Sequence, residues 1–101
     1  MSTELSAPPL LDGLLSRPLE LHPQVALRPE PFGALAYHYG NRRLVFLKHP
    51  DVVTVARELA NHPSLAAALL ACGIDRRRWP SFVTAFQSLQ NSQVVVERNR
   101  P

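Results

Sequence analysis

The stretch Gly33–Leu47, which reads GALAYHYGNRRLVFL, decides the fold of this chain. Its two β-rich runs flank Gly40-Asn41, and such a pair predicts a β-hairpin whose two-residue primed turn has φ > 0. Counting outward from that turn sets the register, from Tyr39 opposite Arg42 to Ala34 opposite Leu47. The pairs between them are His38 with Arg43, Tyr37 with Leu44, Ala36 with Val45 and Leu35 with Phe46.

Side chains alternate across a strand, so this hairpin has a bulky face and a smaller one. A slip of one residue would exchange the two faces, so the large side chains fix the register. We expect another part of the structure to cover the bulky face. That face carries Leu35, Tyr37, Leu44 and Phe46, whereas the smaller apolar face carries Ala34, Ala36, Val45 and Leu47.

A short strand and an N-terminal arm precede the hairpin. Gln24–Arg28 is predicted as a strand that Pro29 and Pro31 end, since proline cannot donate to a ladder. Residues 1–21 carry leucines without a sustained period and contain several prolines, which predicts a flexible arm that lays its leucines on the domain. Residues 22–98 are then the domain itself, and residues 99–101 are a tail.

Helices follow the hairpin. The first is predicted from Pro50 to a stop at His62-Pro63, with an apolar stripe of Val52, Val55, Ala56 and Leu59. The second begins after a Ser64 cap and ends at Gly73. The third covers Pro80–Gln90 after a separate turn at Asp75–Trp79, and its inward stripe is Phe82, Phe86 and Leu89.

This order predicts an α+β fold, in which a three-stranded antiparallel sheet is followed by three helices. The last two helices form a helix–turn–helix. The run Val94–Val96 either adds a short closing strand or packs on the core.

Composition favours one small cytoplasmic domain. The chain has 101 residues, of which 46% are hydrophobic and 19% charged, as in globular proteins. No apolar run approaches the roughly 20 residues that cross a bilayer, and Glu4, Asp12 and early prolines interrupt any signal-peptide pattern. The lone Cys72 agrees with a reducing compartment. The formal charge of +3 permits an acidic partner without requiring one.

Residue types that carry catalysis or bind metals form no recognisable pattern. Cys72 lies in an alanine-rich helix without a base near it in sequence, which is typical of a buried small hydrophobe. The acidic residues form no pair, and His22, His49 and His62 stand before prolines, as boundary residues do more often than ligands. We therefore predict that the protein is not an enzyme and holds neither a metal nor a cofactor.

The run Arg76-Arg77-Arg78 leaves two interpretations open. Cations before a helix N-terminus oppose the macrodipole, so this run is either a solvated turn or an edge that binds carboxylates or phosphates. The helix–turn–helix order suggests DNA binding, and a recognition helix needs arginine, lysine, asparagine or glutamine at base edges and basic residues at phosphates. No lysine or arginine occurs from Pro80 to Gln93, which weakens this interpretation. A small DNA-binding regulator stays the alternative function, with Gln87, Gln90 and Asn91 as candidate base readers.

The strand Arg42–Leu47 offers a stronger candidate site, because no strong strand follows that could cover its far edge. An unpaired edge exposes N–H and C=O groups, and an extended peptide can pair with them. Two or three aliphatic anchors at about 1.5–3 kcal/mol each would offset the roughly 2–5 kcal/mol needed to order the peptide. The competing interpretation is that Val94–Val96 or the arm fills this edge. If the Val45 N–H faces the guest, proline at Val45 should weaken binding more than folding.

One long string also carries a family resemblance. LHPQVALRPEPFGALAYHYGNRRLVFLK, followed by a helix that ends in LANHPS, resembles the precursor-peptide chaperones of mycofactocin biosynthesis (the MftB type). More broadly, it is similar to the PqqD-like recognition elements of ribosomally made, modified peptides. The resemblance covers about residues 21–96.

The resemblance implies a winged helix–turn–helix-like domain whose sheet and third helix accept a leader peptide instead of DNA. It implies delivery of the mycofactocin precursor to a radical-SAM maturase, which oxidatively decarboxylates the C-terminal tyrosine of the peptide and crosslinks it to the neighbouring valine. The iron–sulfur clusters belong to the maturase, so the chaperone needs no cofactor, and neither nucleic acid nor a membrane is an expected partner. The implied peptide contacts are Arg43, Leu44, Val45, Phe46 and Leu47 on the strand, Val83, Phe86 and Gln87 on the helix, and Arg78 and Trp79 at the end of the groove.

Overall fold

The computed structural model describes residues 13–98. In chain order its elements are β1 (Leu19–Leu21), β2 (Val25–Glu30), β3 (Gly33–His38), β4 (Leu44–Leu47), α1 (Pro50–Glu58), α2 (Leu65–Ala71), α3 (Trp79–Asn91) and β5 (Val95–Glu97). Short 3₁₀ turns follow α1 at Leu59–Asn61 and precede α3 at Arg76–Arg78. The strands form a three-stranded antiparallel sheet in the order β2-β3-β4 and a two-stranded ribbon of β1 with β5. The predicted α+β fold is confirmed.

The hairpin has the predicted register, but a different turn closes it. Tyr37 lies opposite Leu44, and Ala34 lies opposite Leu47. The Arg42 N–H donates to the His38 carbonyl at 2.7 Å, and Arg42, rather than Gly40, has a positive φ of 65°. The predicted two-residue primed turn is therefore wrong. The observed loop is longer, but it is also centred on Gly40-Asn41, so the register of the hairpin is unchanged.

Side-chain acceptors hold this loop. The buried His38 ring accepts hydrogen bonds at Nδ1 from the N–H groups of Gly40 and Asn41, at 3.0 and 3.2 Å. Asn41 Oδ1 accepts from the Arg43 N–H at 2.9 Å. The His22 ring packs on His38 with the ring centroids 4.3 Å apart. Because side chains satisfy these N–H groups locally, the loop does not need the primed geometry.

The smaller face of the hairpin forms the core. Ala34, Ala36 and Leu47 are buried, whereas Leu44 and Phe46 are 61% and 59% exposed. Alanine side chains let the helices approach the sheet closely, which leaves the large residues on the outside. Within residues 13–98, the expectation that the bulky face is covered is therefore wrong.

β2 continues past its predicted end at Arg28. Pro29 lies opposite Ala34 of β3, and β2 is an edge strand. The Tyr39 N–H donates to the Gln24 carbonyl at 2.8 Å, and the antiparallel alternation then turns the Pro29 nitrogen away from β3. The prediction that Pro29 ends this strand is wrong, because proline is tolerated where no ladder donor is needed.

The helices begin close to their predicted starts, but α1 ends at Glu58, and a 3₁₀ turn covers the remaining residues before the predicted stop at His62-Pro63. α1 begins at Pro50, and the Ser64 hydroxyl accepts a hydrogen bond from the N–H of α2 three residues on, at 3.1 Å. Gly73, just beyond α2, has a φ of 72°. α3 begins at Trp79, one residue before the predicted start. Its predicted inward stripe is confirmed as buried: Phe82, Phe86 and Leu89.

Part of the predicted N-terminal arm is built into the domain. Leu14 and Leu19 are buried in the core, and β1 pairs with β5 so that Leu19 lies opposite Glu97. The valine run thus contributes a strand, the first of its two predicted options. Residues 1–12 of the arm and residues 99–101 of the tail lie outside the described residues.

Arg98 connects β1, the end of α1 and the end of β5. Its guanidinium donates to the carbonyl oxygens of Leu19, Leu59 and His62 at 3.0, 2.8 and 2.8 Å. Its backbone N–H donates to the Pro18 carbonyl at 2.7 Å. These contacts anchor Arg98, the residue directly after β5, to β1 and to the turn after α1.

We expect Arg98→Ala to lower the free energy of unfolding by about 2–4 kcal/mol. Hydrogen bonds from a charged donor contribute roughly 1.5–3 kcal/mol each, and contacts that share one side chain are not additive. Urea denaturation followed by circular dichroism would measure the loss. Arg98→Lys is the matched control, because it keeps the charge without the planar fork and should recover only part of the stability. Wild-type stability of the alanine variant would contradict the anchoring role.

Candidate functional site

β4 is the open edge of the three-stranded sheet. In the order β2-β3-β4 it pairs with β3, and within residues 13–98 no strand lies on its other side. The suggestion that Val94–Val96 fills this edge is wrong, because that run belongs to the ribbon with β1. The described part of the N-terminal arm contributes β1 to the same ribbon, so it does not pair with β4 either.

The ladder with β3 determines which backbone groups of β4 are free. The His38 N–H donates to the Arg43 carbonyl at 3.0 Å, so Ala36 and Val45 are the next hydrogen-bonded pair. The N–H and C=O groups of Leu44 and Phe46 therefore point toward the open edge. Since the Val45 N–H faces β3, proline at Val45 would disrupt the sheet instead of testing a guest strand.

A cavity of about 360 Å³ lies between this edge and α3. Its strand side consists of Val45, Phe46 and Leu47, and it continues over Lys48 and His49. Its helical side consists of Val52 from α1 and of Ala85, Ser88 and Leu89 from α3. A mostly apolar cavity beside free backbone donors and acceptors is suited to an extended chain.

A second cavity, of about 190 Å³, lies near the start of β4 and the end of α3. Its lining is polar: Asn41, Arg43, Asn91, Ser92 and Gln93. Both cavities have β4 or its flanking loop on one side and α3 or its C-terminal end on the other. We call them together the β4–α3 trough, with an apolar and a polar cavity.

The predicted site residues fall into two groups. Those on the strand lie at the trough: Arg43 lines the polar cavity, and Val45, Phe46 and Leu47 line the apolar one, with Leu44 between them on the outer face. Those on the helical side do not line either cavity. Among these, Gln87 is half-buried, and the buried ones are Trp79, Val83 and Phe86.

The triple arginine is engaged with its own surroundings. Arg78, predicted at the end of the groove, pairs with Asp51 of α1 at 2.9 Å. Arg77 pairs with Asp75 at 3.2 Å. The Arg76 guanidinium lies 4.8 Å from the centroid of the indole at the start of α3. These contacts favour the interpretation of this run as a solvated turn over that of an open anion-binding edge.

Within the described part of the chain, two side chains outside the trough have shifted pKa values. Burial raises the pKa of the Cys72 thiol, and the negative charges of Glu58 and Asp51 raise it further. Such a thiol is protonated at neutral pH and is not an activated nucleophile. The side-chain hydrogen bond from Arg77, supported by its backbone N–H, lowers the pKa of Asp75.

Within residues 13–98, no three histidine, cysteine or acidic side chains are grouped as ligands of a metal ion would be. No helix in the same range is long and apolar enough to cross a membrane.

Sequence reasoning missed the helical wall of the trough. Ala85 and Ser88 lie one helical turn apart, next to the bulky buried stripe of α3, and Leu89 was assigned to the core alone. Small side chains at i and i+3 form a continuous strip on one helix face, and that strip leaves room between helix and strand. The i, i+3 spacing of Ala85 and Ser88 could therefore have indicated this wall from the sequence alone.

Comparison with known proteins points to one family. Residues 18–96 match the Peptide chaperone MftB family. This chain belongs to that family. The resemblance predicted from sequence is therefore confirmed, and the matched residues include the whole β4–α3 trough.

Relatives named Peptide chaperone MftB cover most of the chain. The one from Mycobacterium ulcerans is 46% identical over 76 residues, which are 75% of this chain and 70% of that protein. The one from Mycobacterium tuberculosis is 44% identical over 78 residues, 77% and 72% of the two chains. The one from Mycolicibacterium smegmatis is 47% identical over 79 residues, 78% of each chain. No solved structure matches this MftB-family chain.

Proposed function

We propose that this chain is a non-catalytic chaperone that binds the leader region of the mycofactocin precursor peptide by strand addition and delivers it to a radical-SAM maturase. The observation that carries the proposal is the open edge of β4 beside the apolar cavity. Family membership supports the peptide-binding part, because the relatives are named peptide chaperones.

A guest strand along β4 would bond to the backbone of Leu44 and Phe46, and its alternate side chains would enter the trough. The proposed strand contacts stay Arg43, Leu44, Val45, Phe46 and Leu47. For the helical side we propose Ala85, Ser88 and Leu89 in place of Val83, Phe86 and Gln87, since they line the apolar cavity. Trp79 has a structural role, because its indole N–H donates to the Ile74 carbonyl at 3.0 Å.

We further infer that residues 22–98 act in the cytoplasm as one peptide-binding unit, together with the packed residues of the arm, and need neither nucleic acid nor a membrane. The absence of lysine and arginine from Pro80 to Gln93 supports a peptide over a DNA duplex, since phosphate contacts depend on such cations.

Titration calorimetry tests the proposal. A synthetic precursor with its full leader should bind the purified chain, whereas a precursor without the leader should give no heat of binding. A scrambled leader of the same composition is the matched control, and a DNA duplex at low salt tests the alternative function. Absence of binding by the full precursor, or equal binding by the truncated one, would contradict the proposed role.

A further inference from the structure

Positive charges without carboxylate partners flank β4. Arg42 and Arg43 precede the strand, Lys48 follows it, and all are exposed. Within residues 13–98 none of the three has a carboxylate oxygen within 4.0 Å. Most other arginines of the same range do have one, namely Arg17, Arg28, Arg77 and Arg78. A guest on this edge therefore meets uncompensated positive charge at both ends of the strand.

The polar cavity has the lining of an anion or amide site. Arg43 is its cation, and the remaining lining residues all carry hydrogen-bonding side chains without a negative charge: Asn41, Asn91, Ser92 and Gln93. A carboxylate there would accept charge-assisted hydrogen bonds from the guanidinium, which are about twice as strong as neutral ones.

The distance between the two cavities imposes a spacing on the guest. From Arg43 in the polar cavity to Leu47 in the apolar cavity, β4 advances about four residues, or about 13 Å at roughly 3.3 Å per residue. A strand beside β4 has the same rise, and its side chains at i and i+4 point to the same side. One guest strand can therefore fill both cavities with residues about four positions apart.

We propose that this edge selects a peptide segment that carries an acidic side chain about four residues from an aliphatic one. The carboxylate binds Arg43 in the polar cavity, and the aliphatic side chain fills the apolar cavity beside Leu47 and Leu89. This inference rests on the proposed strand addition and names the class of peptide that it accepts.

Fluorescence anisotropy with a labelled synthetic leader peptide tests the protein side. We expect Arg43→Gln to weaken binding about tenfold and to reduce its salt dependence, because an ion pair at the rim of the site is lost. Arg57→Gln is the matched control, since Arg57 is an exposed cation of α1 that lines neither cavity. The affinity of the Arg57→Gln variant for the leader peptide should stay within about twofold of the wild-type affinity.

The peptide side completes the test. Each aspartate and glutamate of the leader is replaced in turn by asparagine or glutamine, and one replacement should weaken binding to the wild type about tenfold yet leave binding to Arg43→Gln unchanged. The aliphatic residue most sensitive to alanine should lie about four positions from that carboxylate.

The two proposals fail in different ways. The acidic-guest inference would be overturned if the Arg43→Gln variant bound the leader as tightly as the wild type does. It would also be overturned if every neutralised peptide bound the wild type as tightly as the unmodified leader does. Strand addition would stand in either case. Failure of the wild-type chain to bind the unmodified leader would overturn both.

Discussion

Phe86→Ala is expected to lower the free energy of unfolding by about 3–5 kcal/mol, the usual cost of truncating a fully buried phenylalanine. Phe86 is 0% exposed and belongs to the inward stripe of α3. Small domains have a total stability of only about 5–15 kcal/mol, so a loss of this size removes much of it. Urea denaturation at 25 °C would measure the change.

Phe46→Ala is the matched control, because it makes the same substitution at a side chain that is 59% exposed. Its stability should change by less than about 1 kcal/mol, whereas its affinity for the leader peptide should fall. The resemblance placed both phenylalanines at the peptide. A stable Phe86→Ala variant that had lost only peptide binding would contradict the core position of Phe86.

Phe46→Pro is expected to abolish detectable binding of the leader peptide while the domain stays folded. The Phe46 N–H points to the open edge, where proline removes a donor for the guest and places its ring in the path of the added strand. Proline is tolerated on such an edge because the ladder with β3 does not use this N–H. Calorimetry with the full leader would measure the loss, and circular dichroism would confirm the fold.

Two controls separate the causes of that loss. Phe46→Ala removes the same ring but keeps the N–H, so the proline variant should bind more than about tenfold more weakly than the alanine variant. Val45→Pro removes an N–H that faces β3 and should lower stability instead. Equal affinities of the proline and alanine variants at Phe46 would contradict strand addition to β4.

The register of the hairpin was predictable because its sequence pattern is centred on Gly40-Asn41 and any loop with that centre pairs the same residues. The turn itself was not, since it depends on the His38 ring, whose Nδ1 accepts from two N–H groups of the loop. The bulky face of the hairpin was also wrongly predicted to be covered. Residue size alone does not tell which face of a ribbon the helices cover, and here the alanines allow the closer approach.

The strand side of the candidate site could be predicted from the lack of a later partner strand for β4. The helical side could not, because an apolar stripe identifies the buried face of α3 but not which flank borders the strand. The pairing of β1 with β5 was equally unpredictable from the sequence. Its two segments are short and distant in sequence, and Arg98, which anchors them, resembles any other terminal arginine until the fold brings the carbonyl groups together.

The brevity of β4 limits how much affinity backbone pairing alone can provide. The strand has four residues, and only Leu44 and Phe46 turn their peptide groups outward. A peptide added to this edge therefore gains few main-chain hydrogen bonds. At about 0.5–1.5 kcal/mol net for each bond, this ladder alone falls short of the roughly 8 kcal/mol that corresponds to micromolar affinity. For a peptide to bind with micromolar affinity, its side chains must supply the remainder through contacts in the β4–α3 trough.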